Sequence, residues 1–416
     1  MKKLMFVCGA LWLCLNASAQ AKTLYVDPSK TVGAPASRIF DEIRFIPLET
    51  TKKSLFGAIR QLVVTDSLFI VLDGDTDALY FFNKRGKFLQ KYRIKRYRIR
   101  DIQLDRTKNA LLIFSLNKNY NIPSVKVQEY LEPESQTDIS KYAKATWFYL
   151  DNVKAARTED LKNFRYAFTN PVRFDKNKFA ASFIKAKRTS RDTLDYQLKI
   201  IDNANVLQNY FPYNKKTESV YYFSGASQCS IMPTQNDSVL LVTRPFQYEI
   251  YTLTPSAITE SYKLILPMEN AVPASFFNTG FSSRGEMDMY KMEHAKYAEK
   301  IQNVIRFKNL MFFDLNLFRG YNRYLFDNKT NLIYDYNKIS SDSSSYFLPV
   351  SGVIKSFDEE HIYLSISAKS MFNAKKSSEY RDPQYDEVLT RFFETRKETD
   401  NPVLIQLKPK EDLVTK

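Results

Sequence analysis

The stretch Ala58 to Tyr92, AIRQLVVTDSLFIVLDGDTDALYFFNKRGKFLQKY, contains four short apolar segments separated by three polar turns. The apolar segments are rich in Val, Ile, Leu, Phe and Tyr, which strands favour. The turns contain Asp, Asn, Ser and Gly, which adopt the backbone angles of tight hairpins. Four antiparallel strands in so short a stretch make one blade of a β-propeller. The predicted strands are Ala58–Val64, Leu68–Leu72, Ala78–Phe82 and Lys87–Tyr92.

The same turn pattern, an apolar residue followed by Asp or Asn and more polar residues, recurs along the chain. It occurs at Phe82-Asn83, Leu104-Asp105, Phe174-Asp175, Ile201-Asp202, Phe326-Asp327 and Phe357-Asp358. Hairpins repeated over a whole chain are typical of repeat architectures. We therefore predict an all-β fold, a six-bladed β-propeller, over residues 39–416, with residues 20–38 as a lead-in. The strand at 39–48 should join the final blade beside the last strand, Val403–Leu407, and so close the ring.

Further strands are predicted less regularly, and two stretches predict short helical insertions. The strands lie around Ile102 and at Leu111–Phe114, Val125–Tyr130, Phe179–Ile184, Leu194–Ile201 and Val206–Phe211. In residues 284–306 and 384–397 the apolar residues recur at helical spacing, and charged residues fill the other faces. Both insertions could cap one face of the ring or pack against the edge of a blade.

The first 19 residues predict a secretory signal peptide. A positive start, Met1-Lys2-Lys3, precedes an apolar run and an Ala17-Ser18-Ala19 cleavage site. This apolar run is shorter than the roughly 18 residues of a membrane span, and no other segment of the sequence has an apolar run of that length. We therefore expect an exported protein, periplasmic or associated with the outer membrane, and a lipoprotein is the weaker alternative. Cleavage would leave Cys229 as the single cysteine, so the mature chain could form no internal disulfide.

The chain is basic, with 61 Lys and Arg against 46 Asp and Glu and a formal net charge of +15. For an exported protein, this charge favours anionic glycans, lipid headgroups or acidic proteins as partners, and nucleic acid is not expected. A generally basic, solvated surface is the alternative interpretation.

Several segments resemble a known family. They are IRFIPLET (43–50), LFGAI (55–59), LFIVLD (68–73), FFNKRGKF (81–88) and DNPVLI (400–405). They are similar to those of bacterial six-bladed β-propeller proteins that are exported by gut-type Gram-negative bacteria and related to NHL-type propellers. The resemblance implies architecture and export rather than an activity. It departs after the first blade, where the family's Gly-rich G-x-G-P-G-E-Y-like loop is replaced by RIKRYRIR (93–100).

That departing segment supplies the candidate binding residues. Basic residues alternate with Ile and Tyr, which would place the charges on one side of a strand. Arg guanidinium groups bind carboxylate, sulfate or phosphate through paired hydrogen bonds. The segment thus predicts an anion-binding rim, for instance for a uronic acid or a sulfated glycan. A charged edge that prevents strand pairing is the alternative. The residues are Arg93, Lys95, Arg96, Arg98 and Arg100.

Other sequence features are weaker candidates. His294 and His361 are the two histidines, and neither has the spacing of a catalytic triad. The acidic loop at 73–77 resembles a calcium loop, but it lacks the Gly and Glu of an EF-hand, so a strand-connecting turn is the main interpretation. No cofactor is evident, and calcium stays open as an alternative. Aromatic residues could stack on sugar rings or pack in the core, namely Tyr221, Tyr222, Phe223, Tyr321 and Tyr324.

The function predicted from these features is binding rather than catalysis. The leading hypothesis is an exported recognition or scaffold protein for an anionic glycan or a protein partner. The alternative is a metal-dependent hydrolase or lactonase-like enzyme with its site in the central channel. A structural component of an envelope assembly, docked through the helices, is the third. Carboxylates that converge in the channel would favour the enzyme, and a cationic and aromatic channel mouth would favour anion binding. A broad apolar patch on the helices would favour assembly.

Overall fold

A computed structural model describes residues 21–120, 139–162, 164–167, 169–182, 193–218, 221–222, 228–411 and 413. Three N-terminal strands precede six sheets that follow one another in the chain. The N-terminal strands are β1 (Lys22–Tyr25), β2 (Val32–Pro35) and β3 (Phe40–Pro47). Blade 1 contains β4 (Ile59–Val64), β5 (Leu68–Asp73), β6 (Ala78–Asn83) and β7 (Phe88–Tyr92). Blade 2 contains β8 (Tyr97–Asp105), β9 (Ala110–Asn117), β10 (Ala143–Tyr149) and β11 (Thr158–Asp160).

The remaining four blades have the same order of strands, from the channel outward. Blade 3 contains β12 (Val172–Phe174), β13 (Lys178–Ala181), β14 (Leu194–Ile201) and β15 (Val206–Asn214). Blade 4 contains β16 (Ser230–Pro233), β17 (Leu240–Thr243), β18 (Glu249–Leu253) and β19 (Ile258–Ile265). Blade 5 contains β20 (Ala298–Phe307), β21 (Leu310–Leu317), β22 (Tyr321–Asp327) and β23 (Ile333–Ser340). Blade 6 contains β24 (Ser356–Phe357), β25 (Ile362–Ile366) and β26 (Val403–Pro409), with β3 as its outer strand.

The prediction of an all-β, six-bladed propeller is confirmed, and so is the pairing of the N-terminal strand with the final blade. The N-terminal arm, residues 22–47, does more than close the ring. Its β1 pairs in parallel with the outer strand of blade 4, and β2 pairs in parallel with that of blade 5. The predicted lead-in therefore contains two strands, which cover edges that would otherwise be unpaired.

The repeated Asp and Asn turns form as the sequence predicts. Asp105 accepts hydrogen bonds from Thr107 Oγ1 at 2.6 Å and from Lys108 N at 3.0 Å. Asn83, Asp202, Asp327 and Asp358 accept backbone N–H groups in the same way. Each side chain therefore satisfies donors that the strand ladder leaves free at the turn. Asp175 differs, because its backbone adopts φ of 55° and its N–H donates to Asp237 O.

The core lies between neighbouring blades. Phe81 and Phe148, for example, stack at 5.2 Å between blades 1 and 2. In the described part of the chain, four α-helices lie between strands of the blades. They are α1 (Ala36–Ile39), α2 (Arg284–Glu293), α3 (Ala368–Ser378) and α4 (Glu387–Thr395). The apolar face of α4, with Leu389 and Phe392, packs onto the core between blades 5 and 6. None of the helices in the described part of the chain has the length and apolarity that crossing a membrane requires.

The helix predicted over 284–306 is wrong in its second half, which is the strand β20. Two irregularities in the pairing of β20 with β21, after Ala298 and after Gln302, interrupt its alternation. Ile301 is buried between blades 4 and 5 and Ile305 between blades 5 and 6, so two residues with helical spacing are both buried although they lie on opposite faces of the sheet. The helix predicted over 384–397 is observed at Glu387–Thr395, and α3 was not predicted. The predicted strand Val125–Tyr130 and residues 183–184 of another lie outside the described residues.

Candidate functional site

The inner strands surround a central channel that contains a cavity of about 440 Å³. All six blades contribute to its wall, and apolar side chains such as Val63, Ile102 and Ile305 cover much of it. This volume is in the range of small-molecule sites, which typically combine an apolar wall with a few polar groups. The polar and charged residues of the wall are Gln61, Asp101, Gln103, Arg106, Arg173, Thr234, Asn236, Asp237, Asn303, Lys355 and Ser356.

Two glutamines of the channel wall connect the inner strand of one blade to the next. Gln61 of blade 1 donates to Ile102 O at 2.7 Å and accepts from Ile102 N at 3.0 Å. Gln103 of blade 2 donates to Pro171 O at 2.8 Å and accepts from Arg173 N at 2.7 Å. Inner strands have no ladder partner on the channel side, so these amides satisfy backbone groups that would otherwise be unpaired. They hold the wall in place around the cavity.

The two ends of the channel differ. The turns between the first and second strands of each blade, and between the third and fourth, form what we call the lower face. The connections between blades lie on the upper face. At the lower face, the β16–β17 turn of blade 4, residues 234–239, extends across the channel. Its Gln235 side chain donates to Asp358 O of blade 6 at 2.6 Å, and its Asp237 lies 2.7 Å from Arg106 Nη1 of blade 2.

These contacts show that the turn crosses the axis of the ring. Blades 2 and 6 flank blade 1, and blade 1 lies opposite blade 4. Asp237 is also 3.6 Å from Arg173 of blade 3, whose guanidinium lies 2.9 Å from the buried Asp105. The crossing turn is therefore held by a network of buried and half-buried charges. It leaves a cleft of about 620 Å³ on the side of blades 6, 1 and 2.

Hydrogen-bonded polar groups line the lower cleft. Tyr363 donates to Asp358 Oδ2 at 2.5 Å, and His361 Nδ1 lies 3.3 Å from Oδ1 of the same carboxylate. Burial opposes the ionisation of Asp358, but the hydrogen bonds from His361 and Tyr363 outweigh it and hold its pKa well below the usual range. Lys84 packs over the rings of Phe69 and Tyr363, and burial lowers its pKa. His361 thus belongs to a turn, as its sequence position predicts.

At the upper face the structure exposes all five predicted anion-binding residues, but they do not lie on one strand. Strand β7 ends at Tyr92 and β8 begins at Tyr97, and Arg96 lies between them with φ of 68°. The single alternating strand is therefore wrong over residues 93–96, because a connection between blades must turn there. Arg98 and Arg100 do lie on β8, and Ile99 between them is buried.

The rim adjoins the channel. Arg100 immediately precedes Asp101, the first residue of β8 in the channel wall. The pKa of Arg60 on blade 1 is lowered, mainly by burial and secondly by the positive charge of Arg100. Arg98 is 3.5 Å from Asp77, a carboxylate that Lys118 also contacts at 2.7 Å. Within the described residues, the other four predicted side chains form no ion pair. The rim therefore carries more positive charge than its carboxylates compensate.

The acidic loop at 73–77, a weaker candidate from the sequence, has a structural role. Asp73, in the acidic loop, is buried, and its oxygens accept from Thr76 Oγ1 at 2.6 Å, Thr76 N and Ala58 N. Its carboxylate thus organises the turn. Across the described residues, no group of three or more His, Cys, Asp or Glu side chains is arranged to hold a metal ion.

The aromatic candidates divide between core and surface. Tyr221, Tyr222 and Tyr324 are buried, so they are core residues and not a sugar platform. Tyr321 is 50% exposed and stacks on Arg323, whereas Phe223 lies outside the described residues. His294 stacks between Tyr290 and Tyr297 at the end of α2, and its Nδ1 lies 3.0 Å from Tyr290 O. The two channel glutamines, the crossing turn and Lys355 were not predicted from the sequence. A polar residue within an apolar inner strand was the available signal for Gln61, Gln103 and Lys355.

Comparison with known proteins agrees with this architecture. Residues 16–364 match a family described as a 6-bladed beta-propeller. The chain belongs to this family. Its structure is similar to that of a Bacteroides fragilis protein named "Putative exported protein", with a TM-score of 0.61, 15% identity, and coverage of 93% of this chain and 99% of that one. A structure from Bacteroides vulgatus gives a TM-score of 0.42 at 8% identity, covering 90% and 98% of the two chains. No curated protein sequence matches.

Proposed function

We propose that this propeller is an exported binding protein that receives an anionic ligand, such as an acidic glycan, at the upper mouth of its channel. The observation that carries the proposal is the excess of exposed cations beside the channel wall. Arg98 shares the carboxylate of Asp77 with Lys118, and the other cations of the rim are exposed and form no ion pair with a described residue. A ligand carboxylate or sulfate would supply negative charge there and accept paired hydrogen bonds.

The donor sets favour binding over the metal-dependent alternative. A lactonase-like metal site needs several carboxylates or amides that converge on one point. In the channel wall the carboxylates are Asp101 and Asp237, and each has other partners. Gln103 donates to Asp101 at 2.6 Å, and Asp237 faces two arginines. The assembly alternative receives less support, because the apolar face of α4 is buried in this chain's own core.

The proposal is tested by removing the rim charges. We would compare the wild type with the triple variant Arg96→Ser, Arg98→Ser, Arg100→Ser on immobilised heparin, polygalacturonate and neutral dextran. We expect binding of the two acidic polymers to weaken by roughly tenfold, because exposed ion pairs contribute up to about 1 kcal/mol each. Binding should also weaken steeply with salt.

A matched control removes the same charge from the opposite face. Arg85, Lys87 and Lys176 are exposed and lie in turns of the lower face. The variant with Ser at these three positions has the same net charge as the rim variant. If the two variants bound acidic polymers equally, general charge rather than the rim would explain the attraction. Unchanged binding by the rim variant would refute the proposal.

A further inference from the structure

Lys355 is a cation in the channel wall that has no anionic partner among the described residues. The segment 354–357 of blade 6 lines the cavity, and the Lys355 backbone N–H donates to Tyr363 O at 2.8 Å. This hydrogen bond fixes the residue at the start of the inner strand. The side chain is half-buried, and no described residue forms a hydrogen bond or an ion pair with its amine. Lys355 is thus one of the residues that line the cavity, at the start of the inner strand of blade 6.

The charges around Lys355 leave it uncompensated. Among the described residues, the charge that acts on its amine is that of another cation, Arg323 of blade 5. Arg323 has its own partner, since its Nε lies 3.2 Å from Asp314 Oδ1, and Asn303 donates to Asp314 Oδ2 at 2.8 Å. The buried carboxylate of Asp314 is therefore paired with the guanidinium of Arg323, and Lys355 adds a second positive charge to this side of the channel. Burial lowers the pKa of Lys355, and Arg323 lowers it further.

A half-desolvated cation without an anion is costly for the folded protein. Other buried lysines of the same protein have a polar partner: Lys291 lies 2.7 Å from Glu299 Oε1, and Lys300 donates to Gln228 O at 3.1 Å. A half-buried cation that lacks an anion is typical of a site where a ligand supplies the negative charge. The cavity next to Lys355 has room for such a ligand, and Ser356 and Asn303 add polar groups to the same wall.

We propose that Lys355 is the counter-ion for a carboxylate, or an anion of similar size, which a ligand places inside the channel. This inference rests on the proposed function for the class of ligand and adds a specific position within the channel. The rim would attract the anionic ligand, and Lys355 would hold one of its charged groups. Both the carboxylate of a uronic acid and a free inorganic anion have the required chemistry.

The test observes the Lys355 amine directly. Lysines of the whole mature protein are reductively methylated with ¹³C, which retains their charge, and the Lys355 signal is assigned by its absence in Lys355→Met. Glucuronate, sulfate and neutral glucose are then titrated in turn. We expect the signal to shift along a saturable curve with glucuronate and not with glucose. A shift with sulfate as well would show that charge alone is recognised, and a tighter curve for glucuronate would show that the sugar is also contacted.

Affinity measurements separate this inference from the proposed function. Lys355→Met should weaken glucuronate binding at least about tenfold, as expected for loss of a hydrogen bond to a charged group, and Lys355→Arg should restore most of it. If the rim triple variant lost polymer binding while the Lys355 signal stayed fixed up to about 100 mM glucuronate, far above a millimolar Kd, the channel site would be refuted and the rim would stand. A shift that persisted in the rim variant would support the channel site independently.

Discussion

Replacement of Gln103 by Met should lower the free energy of unfolding by about 3 to 5 kcal/mol. Met has a similar volume and length, so the packing of the channel wall changes little. The loss is in hydrogen bonds. Gln103 Nε2 donates to Pro171 O and to Asp101 Oδ2, and Oε1 accepts from Arg173 N. The two backbone bonds contribute about 1 kcal/mol each, and an unpaired buried N–H at Arg173 costs a further 1 to 3 kcal/mol or so.

Urea titration, followed by tryptophan fluorescence and by circular dichroism, would measure this difference. Gln61→Met removes two bonds of the same kind between blades 1 and 2, and we expect a loss of roughly 2 to 3 kcal/mol. Gln208→Met is the control, since Gln208 is exposed on the outer strand of blade 3, and it should stay within about 0.5 kcal/mol of the wild type. If Gln103→Met were no more destabilising than Gln208→Met, the two amides would not be holding the inner strands.

Four further outcomes are expected. Asp237→Asn weakens the attachment of the crossing turn, so hydrogen exchange there, measured by mass spectrometry, should rise by roughly tenfold, and unchanged exchange would contradict the network. A chain that begins at Ala36 lacks β1 and β2 and should self-associate in light scattering through the exposed edges of β19 and β23, whereas a monodisperse monomer would contradict their role. The pKa of Asp358 is lowered on folding, so its stabilising contribution is present above about pH 4 and lost as the pH falls. Asp358→Asn should therefore show a flatter fall in Tm between about pH 5 and pH 2.5, and parallel curves would disprove this. Burial raises the pKa of the Cys229 thiol to about 11, so native protein should not react with a disulfide reagent at pH 8, and rapid labelling would show that the site is open.

The sequence predicted the fold best where local chemistry and tertiary structure agree. In blade 1 every predicted strand is observed within one or two residues, because apolar alternation and Asx turns both specify the hairpins. In β20 they disagree, since irregular pairing displaces the alternation and produces a helical spacing. Helix α3 escaped prediction because its sequence, AKSMFNAKKSS, is mostly polar and buries little besides Ala368 and Met371.

The candidate site was predicted only in part, for a geometric reason. The exposed cations of the rim could be located because charge is visible in a sequence. The meeting of Asp237 with Arg106 could not, since it depends on a turn of blade 4 that reaches across a closed ring. The turn at 236–238 resembles that at 65–67 in sequence, yet Asn236 and Asp237 line the channel and Asp66 lies at the lower cleft. The two turns also differ in length, since residues 234–239 connect the strands of blade 4 and residues 65–67 those of blade 1, and the longer turn has the reach to cross the channel.

The N-terminal arm has a consequence for the order in which the chain can fold. Its strands leave the ribosome first, but their partners β19, β23 and β26 are made much later, and β26 is the last strand of the chain. Leu404 of β26, for example, pairs with Ile46 of β3. The arm must therefore remain undocked while the blades between are synthesised, and the ring closes only after translation of the C-terminal strand. Contacts so distant in sequence slow folding, because the entropy of closing a long loop is lost before the contacts form. We expect the docking of the arm to be the late, slow step of folding.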